Sequence, residues 1–226
     1  MVKSELTTKG ERTRQAILDS ALRLFLERGY EATTMRVVAE EAGVSTGNAY
    51  YYFESKDHLI QGFYARTHDE HMEACEELLE TTTDFKERLI GVLNAKVDTA
   101  EPYHRFSGQL FKTAADPKSP LSPFSKESAD VRDEAIQLMA RVLEGSRTRV
   151  PGELGDRLPE LLWLYEMAII LYWIHDESPN RQRTRRLIER TADIVVRLVS
   201  LASVKLLAPL RRAALNLLDD LRPGTA

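Results

Sequence analysis

A single cysteine, Cys75, excludes an intrachain disulfide and fits a reducing compartment. Long hydrophobic runs are missing too. The most apolar stretch, LLWLYEMAIILYWI at Leu161–Ile174, is shorter than the ~20 residues of a bilayer span, and Glu166 interrupts it. The opening MVKSELTTKGERTRQ has no apolar core of the kind a secretory signal carries. These absences set the expectation of a soluble, cytoplasmic chain with no membrane partner. Net positive charge is also absent. With 31 basic and 35 acidic residues the balance is −4, so bulk charge announces no nucleic-acid partner and any basic surface has to be local. No strand alternation, internal repeat or low-complexity tract occurs.

Helical period is what the chain has in quantity, and its 226 residues with 43% hydrophobic content suffice for a sizeable core. In ERTRQAILDSALRLFLERGY, Ile17, Leu18, Ala21, Leu22 and Phe25 make one face, and Gly29 can cap it. Two short helices follow, TTMRVVAEEAG with Thr34 as N-cap and VSTGNAYYYF with Ser45 as N-cap. A long helix then runs from its Ser55 cap to about Glu80, and Asp84 and Glu87 have capping-box spacing for the next. Pro102 opens a further helix. DPKSPLSPFS, with Pro117, Pro120 and Pro123, reads as an irregular crossover, and a helix follows it to about Glu144. Two strong helices, Pro159 to about Asp176 and Pro179 to about Leu207, finish the core before Pro209 and a short tail helix. The fold class is all-α.

Composition shifts near residue 67. Lys3, Lys9, Arg12, Arg14, Arg23 and Arg28 crowd the N-terminal end, whereas Asp69, Glu70, Glu73, Glu76, Glu77 and Glu80 follow, an acidic run best read as a solvated face. The expected domains are therefore 1–66 and 67–226.

The stretch GVSTGNAYYYFESKDHL, Gly43–Leu59, is hard to explain as packing. Two short helices joined by a turn at Gly43 form a helix-turn-helix, whose second helix enters the DNA major groove. Here that helix begins with Thr46, Gly47, Asn48 and Ala49, small enough for close approach to base edges, where Thr and Asn can hydrogen-bond. Tyr50, Tyr51 and Tyr52 are long, stiff arms with a hydrogen-bonding tip suited to phosphates, and Lys56 adds a charge at the next helix start. Phe53 reads as core.

TTMRVVAEEAGVSTGNAYYYFESKDHLI resembles the helix-turn-helix of the tetracycline-repressor (TetR) family of bacterial regulators: a Thr-capped helix, Ala-Gly-Val-Ser, Gly, Tyr, an aromatic-Phe pair and Lys-x-x-Leu. The resemblance covers roughly Glu11 to Arg66. It implies that Arg36 and Thr46 to Asn48 approach bases, that Tyr50 and Tyr51 contact DNA near the groove, and that Tyr52 and Lys56 hold phosphates. Tyr52 stands where many members carry His. Gly47 has no side chain, so its contact is backbone or steric. The implied protein is a ligand-released repressor, a homodimer on operator DNA, with a larger helical ligand-binding and dimerisation domain after the DNA-binding one. A long helix touching DNA at Lys56 and the sensing domain at its other end would transmit the ligand's effect. The competing reading is a small-molecule sensing or sequestering protein whose DNA contacts are secondary.

His68, His71 and Cys75 share a helix face, but a fourth ligand is not evident, so a packing face is the better reading and no metal or cofactor is expected. His104 and the His175–Asp176 pair come with no recognisable nucleophile or phosphate loop, and no enzyme activity is expected. The stripe Leu187, Thr191, Ile194, Leu198 and Leu201 suits a four-helix bundle between two chains. Aromatic side chains with a polar group among them, Tyr103, Phe106, Phe111, Trp163, Glu166, Ile170 and Trp173, are candidates for a small apolar or amphipathic ligand. The other readings of Glu166 are an ion pair with an Arg across the dimer or simple exposure, and of the aromatics, plain core.

Overall fold

The computed structural model describes residues 9–220, so Lys3 lies outside the described residues. All regular structure in this range is helical. The helices are α1 (Lys9–Arg28), α2 (Met35–Glu41), α3 (Thr46–Tyr52), α4 (Lys56–Thr81), α5 (Phe85–Ala100), α6 (His104–Ala114), α7 (Ala129–Glu144), α8 (Gly152–Gly155), α9 (Leu158–Ile174), α10 (Gln182–Ala202) and α11 (Ala208–Asp220).

The caps sit where local chemistry puts them. Thr34 accepts from the Val37 amide at 3.3 Å, Ser45 from Asn48 at 3.1 Å, Ser55 from His58 at 3.2 Å and Asp84 from Glu87 at 2.9 Å. Gly29 ends α1 with φ 84°. Proline behaves less simply. Pro102 and Pro179 open short 3-10 turns, Glu101–Tyr103 and Pro179–Arg181, ahead of α6 and α10. The expected helix from Pro179 to Leu207 is accordingly shorter. Asn180 and Arg181 adopt φ of 52° and 54°, which helical backbone cannot, so α10 starts at Gln182.

The chain divides into two compact units, residues 1–70 with 100–132 and residues 71–99 with 133–226. The boundary expected at residue 66 falls short of the first crossing, and no sequence pattern signals that residues 100–132 return to the first unit. Core packing is the reason for that return. Phe106 and Leu110 of α6 and Leu121 of the crossover join Ile17, Leu24, Phe25, Phe53, Ile60 and Phe63 in one buried cluster. Phe25 stacks on Phe106 with centroids 5.4 Å apart, and Phe63 meets the Tyr103 ring edge-on at 4.7 Å. The Pro-rich crossover is tied down in the same unit. Gln61 donates to the Pro120 carbonyl at 2.6 Å, and Ser125 donates to it at 2.8 Å.

The second unit contains a buried cation. Arg88 is 2% exposed and donates to four carbonyls, those of Leu79, Thr82, Arg141 and Val142. These lie at the C-terminal ends of α4 and α7, where helix carbonyls lack intrahelical donors and the dipole is negative. Burial, then the neighbouring Arg141, lowers the Arg88 pKa from its ordinary value. One guanidinium thus closes two helix ends. Gly145 leaves room for it, since a Cβ there would clash with Arg88 Nη2 and push the guanidinium aside. Arg88→Met is expected to cost about 3 kcal/mol in urea denaturation, since several buried carbonyls lose their donor. Gly145→Ala should be destabilising in the wild-type background and nearly neutral beside Arg88→Met. Equal effects in both backgrounds would show that the guanidinium does not occupy that space.

Candidate nucleic-acid interface

The helix-turn-helix is built from local bonds. The α2 end is closed by Ala42 to Val38 at 2.9 Å and by Val44 to Ala39 at 2.9 Å, and the chain reverses at Gly43 with φ 67°. Ser45 then starts α3. Of the seven residues of α3 only Ala49 is buried, with Phe53 just beyond anchoring its end at 2% exposure. The rest of the helix faces outward. Thr46, Gly47 and Asn48 are exposed, Tyr50 is 49% exposed and Tyr51 80%. Tyr52 is half-buried against the core and meets Tyr51 edge-on at 5.1 Å. Arg36 is exposed on α2. Phenols with this much exposed apolar area are unrewarded in a free chain.

Gly47 gives a sharper sign. A Cβ at this position would meet nothing within 4 Å, and its φ does not require glycine, since the positive-φ glycines are Gly29 and Gly43. The fold therefore has no use for a residue that weakens its own helix.

Lys56 is half-buried, not free-standing. Its ammonium donates to the Tyr30 carbonyl at 2.8 Å and lies 4.1 Å from the Tyr30 ring centroid. The Tyr30 hydroxyl in turn donates to Asp57. Burial, then this carboxylate, pushes the Tyr30 phenol up, so it stays a donor. The ammonium has three donors, so its bond to Tyr30 leaves Lys56 further donor capacity. Sequence reasoning does not single out Tyr30. Its only local signal is its place directly after the Gly29 cap.

The seven ligand candidates do not share a unit. Tyr103, Phe106 and Phe111 belong to the first, where Phe106 is core at 2% exposure. Trp163, Glu166, Ile170 and Trp173 lie on α9 in the second. Glu166 is 1% exposed and neither carboxyl oxygen has a hydrogen bond. Within the chain Lys96 pairs with it at 3.7 Å, and the burial of Glu166 corrects its reading as simply exposed. Burial raises the Glu166 pKa and Lys96 opposes that rise without cancelling it. His71 and Cys75 are buried in the same unit, with a His71 ring nitrogen 2.9 Å from the Val92 carbonyl, as a packing face requires. His68 is buried in the first unit.

Comparison with known proteins bears on the whole chain. Residues 17–62 match the family described as bacterial regulatory proteins, tetR family, and residues 88–214 match the tetracyclin repressor-like C-terminal domain. The HTH-type transcriptional repressor KstR2 of Mycobacterium tuberculosis is 34% identical over 99 residues, 40% of this chain and 46% of that one. KstR of Rhodococcus jostii is 51% identical over 53 residues, 24% of this chain and 25% of its own. The chain thus spans less than half the length of these relatives. YhgD of Bacillus subtilis, an uncharacterized HTH-type transcriptional regulator, is 28% identical over 186 residues, 76% of this chain and 89% of that one. Among solved structures, a putative TetR-family regulator from Syntrophomonas wolfei superposes with TM-score 0.65 at 18% identity, over 83% of this chain and 96% of its own. A tetR-family regulator from Streptomyces coelicolor gives 0.62 at 22%, over 91% and 89%. At these identities the structures show the shared fold.

Gly47→Ala separates fold from contact. It is expected to raise stability by about 0.5 kcal/mol, because alanine is the better helix former and nothing stands in its way. It should lower affinity for duplex DNA. Higher stability with unchanged DNA binding would mean that no partner comes close there.

Proposed function

Because the chain belongs to the TetR family of bacterial regulatory proteins, we propose that it is a ligand-released transcriptional repressor that grips operator DNA as a homodimer. The outward face of α3 carries this reading: an N-capped helix that buries Ala49 alone and presents Thr46, Gly47, Asn48, Tyr50 and Tyr51. Thr46 and Asn48 read base edges, with Arg36 beside them, while Tyr52 and Lys56 hold the backbone. The role is binding rather than catalysis. The compartment is the cytoplasm, where operator DNA is found, and no helix among the described residues is long and apolar enough to cross a membrane.

One recognition helix covers too little surface to select a site in a genome, so a second copy is needed. The second unit offers a surface for it. Leu164, Leu171 and Tyr172 on α9 and Ile194, Leu198 and Leu201 on α10 are large apolar residues between 39% and 58% exposed. Spacings of four, three and seven on α10, and of seven and eight from Leu164 on α9, keep them on one face of each helix. Four such helices from two chains make a bundle. The effector we propose is small and apolar or amphipathic, lodged near Trp163, Ile170 and Trp173. It carries a group able to satisfy Glu166, whose oxygens lack hydrogen bonds. It releases DNA only by favouring a state that does not fit the operator. The helix α4, shared by both units, connects that event to Lys56.

Leu198→Glu places a charge in the centre of the apolar stripe. The variant is expected to sediment as a monomer and to lose about a thousandfold or more in operator affinity, down to the non-specific level. Operator recovered from the protein's own upstream DNA serves as the probe. A wild-type chain that sediments as a monomer at micromolar concentration would refute the dimeric reading.

A further inference from the structure

We propose that the groove between the first turns of α1 and the turn joining α2 to α3 is a seat for the sugar-phosphate backbone of DNA, a contact separate from that of the recognition helix. The inference rests on the DNA-binding reading of α3 and adds a second element to it. The groove has a volume of about 490 Å³ and is lined by Lys9, Arg12, Thr13, Ala16, Ala42 and Val44. Its α1 residues are spaced three, four and seven apart, so they form one stripe along the helix. The composition is divided by chemistry. Two cations line it together with one hydroxyl and three small apolar side chains. That hydroxyl, on Thr13, donates back to the Lys9 carbonyl at 2.8 Å and so fixes the helix rather than reaching outward.

A phosphodiester has the matching division: an anionic phosphate, and a deoxyribose with an apolar face. Among the described residues no carboxylate lines the groove. The α2 carboxylate of Glu41, next to Ala42, is already taken by Arg23. Neither do all cations of α1 serve the groove, since Arg14 lies 4.8 Å over the Phe53 ring instead. The position of the groove gives the contact its use. Val44 directly precedes Ser45, the N-cap of α3, so a phosphate held here is fixed in register with the recognition helix. Phosphate contacts of this kind carry no sequence information and set affinity and salt dependence.

The test uses the full chain, the operator and a short duplex of random sequence, with affinity measured across a range of salt concentrations. The double variant Lys9→Ala with Arg12→Ala is expected to bind both duplexes more weakly by the same factor, leaving the preference for operator unchanged. Its slope of log affinity against log salt should be shallower by about 2 for each protomer bound, or about 4 for the dimer, since each phosphate no longer neutralised lowers the slope by roughly 0.9. The exposed floor residue Ala16 gives an independent check. Ala16→Glu should weaken binding to both duplexes with a shallower slope, and Ala16→Gln, of equal length, should change the slope little. A slope unaltered in the double variant while wild type binds normally overturns the groove and leaves the role of α3 standing. Loss of preference for the operator in the double variant would also overturn it, because the residues would then be reading bases. A wild-type chain that binds neither duplex overturns both readings together.

Discussion

Tyr30 fixes both ends of the helix-turn-helix at once. Its carbonyl receives the Lys56 ammonium, its ring lies under the same charge, and its hydroxyl donates to Asp57. One residue at the exit of α1 is thereby joined to the first turn of α4, and α2 and α3 are the segment between them. Hydrogen bonds to charged groups are worth about 1.5–3 kcal/mol each when shielded. That matters because α3 has so little burial of its own. A helix held by Ala49 and the Phe53 anchor cannot orient itself, and its aim depends on where the flanking helices hold its ends.

The same dependence extends inward from Tyr30. Its ring packs at 5.4 Å on Phe25, Phe25 stacks on Phe106, and Phe63 follows with Tyr103 at its edge. Arg66 donates to the Tyr103 hydroxyl at 3.1 Å and pairs with Asp19 of α1. The first unit is thus organised around a file of rings to which α1, α4 and α6 all contribute. Residues 100–132 are part of the first unit for that reason, although they lie far along the chain from residues 1–70.

Which of this a sequence can disclose depends on range. Thr34, Ser45, Ser55 and Asp84 cap helices through bonds to amides three residues on, and a reader of the sequence sees all the partners together. Gly29 and Gly43 announce their turns in the same way. Phe53 is legible as core because it breaks a run of polar-tipped rings. Long-range choices are different. The aromatic character of Tyr103 and Phe106 says that they seek burial but not in which unit, and a grouping by residue type alone puts both with residues of the other one. Arg88 on a helix reads as a solvated charge, yet its four acceptors are carbonyls brought together by α4 and α7. Glu166 is visible as an oddity, but its partner Lys96 stands seventy positions away in sequence and no pattern connects them.

Cys75 gives the second unit a chemical property beyond packing. It is fully buried, and burial, with the Glu166 carboxylate adding to it, pushes its thiol up to about 12. At neutral pH the thiolate, the form that reacts, is then scarce. Peroxide and disulfide reagents find no ready nucleophile at Cys75 in the folded unit. Once this part of the unit opens, the thiol returns to its ordinary acidity and becomes reactive. Because it is the only cysteine in the sequence, the rate at which an alkylating reagent consumes it reports a single event, the opening of the helices that enclose it.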